Sequence, residues 1–136
     1  MAYYLAVTLP SSFDEAIQKA EAALQAEGFG IISRIDLQDA FKTKIGVDFR
    51  PYTILGACNP KLAYEALQFE DKVGTMLPCN VIVQEIDGQH TEVAAIDPVA
   101  SMQAIENADL TGAAGEVRAK LARVIESLEA RIATSV

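Results

Sequence analysis

Apolar and polar positions alternate along this chain in two rhythms, and the switches between them mark out its elements. Tyr3 to Leu9 is rich in β-formers and reads as a first strand. Ser12-Phe13-Asp14-Glu15 then matches a capping box, and Phe13, Ile17, Ala20 and Leu24 follow at helical spacing until Gly28 ends the helix. Phe29 to Ile35 returns to strand character. Asp36 opens a short helix with Leu37, Phe41 and Ile45 on one face, and Gly46 closes it. Pro51 holds Arg50 out of helical conformation, so residues 48–51 read as a loop.

Tyr52 to Cys58 is a third strand and runs directly into a helix from Pro60 to about Phe69, with Leu62, Ala63, Ala66 and Leu67 toward the core. Residues 70–77 form a connection punctuated by Gly74 and Pro78. Cys79 to Ile86 is the fourth strand. Asp87-Gly88 is a two-residue hairpin signal that returns the chain as a fifth, Gln89 to Ile96. Asp97-Pro98 breaks that strand, a helical turn spans residues 99–105, and residues 107–112 form a loop. The last helix runs from about Ala113 to Ala133, with Val117, Leu121, Val124, Ile125, Leu128 and Ile132 as its apolar stripe. Strand, helix, strand, short helix, strand, helix, hairpin, helix predicts an α+β domain. Its largely antiparallel sheet of about five strands carries helices packed on one face.

Composition narrows the class. At 136 residues and 51% hydrophobic, the chain has the length and apolar content of one globular domain spanning residues 1–136. A net charge of −8 argues against nucleic acid or an anionic membrane as partner. No stretch has the length of a membrane-spanning helix. Met1-Ala2-Tyr3-Tyr4-Leu5 carries no basic stretch and leads straight into a strand, so the expected location is the cytoplasm, with thiols kept reduced.

Candidate chemistry reduces to the two cysteines. Cys58 ends the third strand just before Asn59, a good N-cap, and Pro60, well suited to the first helical position. A helix N-terminus favours thiolate over thiol, which is the functional reading. The competing reading is that a free cysteine packs as a small hydrophobe. Cys79 begins the fourth strand and, like Cys58, is followed by asparagine, here Asn80. If the two strands pair antiparallel, both thiols lie at one end of the sheet. If they run parallel, about six residues of strand separate them by roughly 20 Å. The single histidine, His90, follows the hairpin turn, and no Cys-x-x-Cys pair occurs, so a four-ligand zinc site has no support from spacing. A thiolate-rich site across a dimer would favour copper(I) or zinc. No Walker loop, dinucleotide fingerprint or Gly-x-Ser-x-Gly elbow is present.

Several blocks resemble a known family. Gly28-Phe29-Gly30-Ile31, Ile54-Leu55-Gly56-Ala57-Cys58-Asn59-Pro60, Leu77-Pro78-Cys79-Asn80 and Asp97-Pro98 are similar to the bacterial and archaeal family called domain of unknown function 302, over about residues 3–130. The resemblance implies a compact α+β domain of the TATA-binding-protein-like kind and a homodimer as the usual assembly. It supplies no activity and names no cofactor. The family's motif residues fall on Cys58, Asn59, Pro60, Pro78, Cys79 and Asn80.

Two functional classes follow. In one, a homodimeric module binds a small ligand, a soft metal or a redox partner through Cys58 and Cys79, with Asn59 and Asn80 orienting them and Lys44 and Arg50 as the nearest anion contacts by sequence. In the other, a dimer encloses an apolar ligand or simply assembles, and the cysteines only pack. A hydrolase or transferase ranks last, since the 19 acidic residues show no catalytic spacing.

Overall fold

The computed structural model describes residues 2–134, with side chains through residue 129; Ile132 of the expected stripe lies outside the described side chains. Five strands form one antiparallel sheet: β1 Tyr4–Leu9, β2 Gly30–Asp36, β3 Tyr52–Cys58, β4 Cys79–Asp87 and β5 His90–Ile96. Their spatial order is β1-β5-β4-β3-β2, so the helix after β1 must carry the chain from one edge of the sheet to the other. That crossover is α1, Phe13–Ala26; the other helices are α2 Leu37–Ile45, α3 Pro60–Phe69, α4 Pro98–Ser101 and α5 Ala108–Thr134. The α+β class, the antiparallel sheet and the one-sided helical layer match the expectation from the hydrophobic pattern.

Register explains where the core sits. Leu5, Ala95, Val81 and Leu55 are successive cross-strand partners, as are Val7, Val93, Val83 and Thr53. These rows face α1 and α5, whose buried stripes are Ala16, Ile17, Ala20, Ala23 and Leu24 on one and Leu121, Val124, Ile125 and Leu128 on the other. A smaller cluster of Ala66, Val73, Met102, Leu110 and Ala114 joins α3 to α4 and the start of α5. Because side chains alternate along a strand, the other sheet face is defined by the intervening residues, and among the described residues no helix buries it.

Local capping follows the sequence closely. Ser12 Oγ accepts the Glu15 amide at 3.3 Å, Asp36 Oδ1 accepts the Asp39 amide at 3.0 Å, and Gly46 adopts φ +68° to close α2. Four expectations need correction. The last helix starts at Ala108, five residues early, because Asn107 Oδ1 accepts the amides of Asp109 and Leu110 at 3.1 Å and so nucleates it ahead of Gly112. The hairpin loop is Gly88-Gln89, shifted by one: Asp87 pairs with His90 in the ladder and takes the Gln89 amide on its own carboxylate at 2.8 Å. Finally, α2 buries none of its residues, and Ile45 is 67% exposed. Its apolar side instead meets a loop aromatic, with the Phe41 and Phe49 rings edge-on at 5.1 Å. Leu67 on α3 is likewise exposed rather than core-facing.

One glycine is dictated by close approach. A β-bulge between Ile31 and Ser33 sets Ser33 opposite Gly56. A Cβ on Gly56 would overlap the Ser33 hydroxyl and come within 2.9 Å of the Pro78 ring, which immediately precedes Cys79. Gly56→Ala is therefore expected to lower stability by about 1–3 kcal/mol in urea unfolding, the usual range for overpacking. An unchanged midpoint would show that β2 and the Pro78 segment yield freely.

Candidate functional site

The antiparallel pairing of β3 with β4 answers the question of sheet end. Ala57 is the cross-strand partner of Cys79, so Cys58, the last residue of β3, lies beside the first residue of β4. Both cysteines are free, Cys79 buried and Cys58 half-buried. Both line one apolar cavity of about 40 Å³ at the seam between the two hydrophobic clusters. The sheet side supplies Ala57 and Cys79. Leu62 and Ala66 of α3 form one wall, Pro98 and Met102 another, and Ala114 and Val117 of α5 close it. A space of this size admits a few atoms, far below the several hundred cubic ångströms of an ordinary small-molecule pocket.

Each position has a local cause. Asn59 Oδ1 accepts the Leu62 amide at 3.2 Å, so α3 starts directly after Cys58, with Pro60 in its first turn. The Asn59 amide group also packs against Gly28, where an added Cβ would stand 3.1 Å from Nδ2. Beyond β5, Asp97 is buried and does two jobs. Its Oδ1 accepts the Val99 and Ala100 amides at 3.0 and 3.4 Å, and its Oδ2 accepts Arg118 Nε at 2.9 Å. That ion pair ties α5 to the strand end beside Pro98 and Val117, and so holds the far wall of the cavity in place.

Burial, and secondarily the neighbouring Cys58, pushes the Cys79 thiol up to about 11. At neutral pH Cys79 is a protonated thiol in an apolar wall. Cys58, a half-buried residue, is the more accessible of the two.

The other sequence candidates are distributed elsewhere. Asn80 is exposed and pairs with Gly56 on the open face, away from the cavity side where Cys79 points. Arg50 sits before the opposite end of β3, where Nε donates to Gln84 Oε1 at 2.9 Å and its guanidinium lies 4.4 Å from the Phe49 ring centre. Six strand steps place Tyr52 about 20 Å from Cys58, so Arg50 is no neighbour of the thiols. Lys44 is exposed in the last turn of α2. His90 bonds Asp87 at 2.9 Å at the hairpin, the whole length of β4 from Cys79. Among the described residues, no group of three or more His, Cys, Asp or Glu side chains converges as a metal site.

Reading the sequence missed the α4 and α5 walls. Met102, Ala114 and Val117 carry no motif, and 20 or more residues separate each from Cys79. The Asp97-Pro98 step was legible as a strand end, but its pairing with Arg118 was not.

No helix of the described residues is long and apolar enough to cross a membrane. None of the curated proteins matches the chain. Among solved structures, the crystal structure of an uncharacterized conserved protein DUF302 from Bacillus stearothermophilus superposes with a TM-score of 0.86 at 27% sequence identity, covering 93% of this chain and 98% of that one. The family model described as domain of unknown function DUF302 matches residues 5–128, nearly the whole chain, and the blocks around both cysteines lie within the match. The chain belongs to the DUF302 family.

Proposed function

We propose that this protein is a binding module, acting as a homodimer, that holds a small soft ligand between Cys58 and Cys79. One observation supports the reading: the antiparallel pairing of β3 with β4 brings both cysteines of the chain to the lining of the same small apolar cavity. Soft sulfur donors select soft partners, and copper(I) is well served by two thiolates alone. Apolar walls offer nothing to a hydrated ion or a polar metabolite, and a few-atom volume excludes larger substrates. A sulfane sulfur held as a persulfide has the same size and softness. Among the described residues, no arrangement of acid, base and nucleophile supports a hydrolase or transferase.

Three measurements test this. Native mass spectrometry of protein purified without chelator or reductant is expected to show added mass that disappears in Cys58→Ser and in Cys79→Ser, and the mass itself separates copper from sulfur. Metal uptake must displace the Cys79 proton, so copper(I) affinity should rise with pH below about 11. Alkylation in native buffer is expected to modify Cys58 first, and Cys79 only after denaturant is added. The other reading, in which the cysteines only pack, draws on the burial of Cys79. It predicts formula mass and two thiols that stay silent until the chain unfolds.

A further inference from the structure

We propose that the cysteine cavity is a copper(I) site with a thioether as its third ligand: Cys58 and Cys79 bind the ion, Met102 completes a three-sulfur set, and Met76 receives the ion on its way in. This rests on the soft-ligand reading above. It names the ligand and gives a role to two methionines that have none in that reading.

The sulfur of this chain is gathered in one place. The sequence holds two cysteines and three methionines. Met1 lies outside the described residues. The other four sulfur-bearing side chains line two adjoining cavities. Cys58 lines the cavity of about 40 Å³, and Met76 lines a second one of about 270 Å³. Cys79 and Met102 line both, together with Pro78 and Pro98, so these residues form the partition. Four separate stretches supply the four sulfurs: the end of β3, the end of a 3-10 turn at Asp71–Met76, the start of β4, and the residue after α4.

Both methionines are held by the backbone. The Met102 amide donates to the Pro98 carbonyl at 3.0 Å, closing the α4 turn. The start of that turn is capped by Asp97, which Arg118 clamps in place. Met76 ends a turn anchored by the fully buried Val73, and the next amide, Leu77, donates to the Gly74 carbonyl at 3.3 Å. Packing accounts for Met102 in part, since it is 9% exposed and belongs to the smaller apolar cluster. It accounts less well for Met76, which is 36% exposed and still lines a cavity with Cys79.

The donor set selects the ion. Thiolate and thioether sulfur are the ligands that soft copper(I) prefers. Zinc draws four ligands from cysteine, histidine and carboxylate, and neither cavity is lined by a histidine or a carboxylate. Two thiolates on one copper(I) leave a single net negative charge in apolar surroundings. A third thiolate would double that charge, whereas a neutral thioether adds a bond and no charge. Each ion taken up as copper(I) releases two thiol protons to solvent and keeps its oxidation state. A persulfide needs one cysteine sulfur and gains nothing from a thioether, so the methionines separate the metal from the sulfur adduct. A neutral thioether holds a cation less tightly than a thiolate does. An ion caught at Met76 therefore passes downhill to Cys79.

The test uses the full chain without oxygen, loaded with copper(I) alone. Competition with a chromogenic copper(I) chelator reads affinity, stopped-flow mixing reads loading, X-ray absorption counts sulfur neighbours, and circular dichroism checks folding. Wild type is expected to bind copper(I) with three sulfur neighbours. Met102→Leu, a volume-conserving change, should leave two and weaken binding roughly tenfold to a hundredfold. Met76→Leu should keep the affinity and slow loading. Two sulfur neighbours in wild type, or an unchanged affinity in Met102→Leu, would overturn this inference alone, provided Cys58→Ser and Cys79→Ser still lose the metal. The sulfur count in wild type decides the matter even where Met102→Leu misfolds. A chain that carries sulfane sulfur and refuses copper(I) would also overturn this inference and leave the soft-ligand reading standing. A chain that takes up neither sinks both. Unchanged loading in Met76→Leu would overturn the entry route.

Discussion

Leu121→Ala is expected to lower the unfolding free energy by about 3 kcal/mol, within the 2–5 kcal/mol of buried leucine truncations, and the melting temperature by about 10 °C. Leu121 has no exposed surface and stands in the main cluster with Val124 and Leu128 of α5, between α1 and the sheet. Packing around it is dense, so the lost methylenes leave a cavity rather than a collapse. The exposed Leu67 on α3 is the control, and Leu67→Ala should stay within about 0.5 kcal/mol. The same substitution should be felt at the thiols. α5 supplies Ala114 and Val117 to the cavity wall, so loosening the helix admits reagent to Cys79 at lower denaturant than in wild type. Urea unfolding followed in parallel with alkylation checks both. A cost under about 1 kcal/mol would mean that α5 is not the principal cover of the sheet.

The second large effect is an alkaline limb set by Cys79. Its thiol titrates near 9 when unfolded and is pushed up to about 11 in the native fold by burial and by Cys58. The native state therefore keeps its proton where the unfolded state has lost it. The stability that the buried neutral thiol contributes is complete below pH 9, is lost progressively between 9 and 11, and totals about 3 kcal/mol. Other groups also titrate in this window, so the informative quantity is a difference. Wild type minus Cys79→Ala, measured by urea unfolding from pH 7.5 to 11, should shrink by that amount as pH rises. Cys58→Ser should shorten the limb, since it removes the secondary cause. Parallel curves for wild type and Cys79→Ala would show that water reaches Cys79 in the native state.

Both predictions rest on how far the molecule can be read from its residues. Strand and helix positions were legible because their causes are local: alternation along β3 and β4, the Ser12 and Asn59 caps, and the Gly28 and Gly46 terminations each act within a few residues. The errors were local too. Residues 107–112 read as a loop, although Asn107 caps a helix that starts at Ala108, and the carboxylate of Asp87 chooses the hairpin loop. The face of α2 was apolar in pattern but met Phe49 rather than the core, because helical periodicity states that a stripe exists and not what it packs against.

What the sequence determined by itself was the fold class, the family blocks and the two cysteines as the only chemistry worth locating. Whether those cysteines share one end of the sheet was decided by the pairing of β3 with β4, and the cavity beside them was closed by α4 and α5, whose wall residues carry no motif. Caps and periodicities are set by neighbours in the chain. Register and crossover are set by burying many side chains at once, so they are properties of the packed whole and of no single stretch.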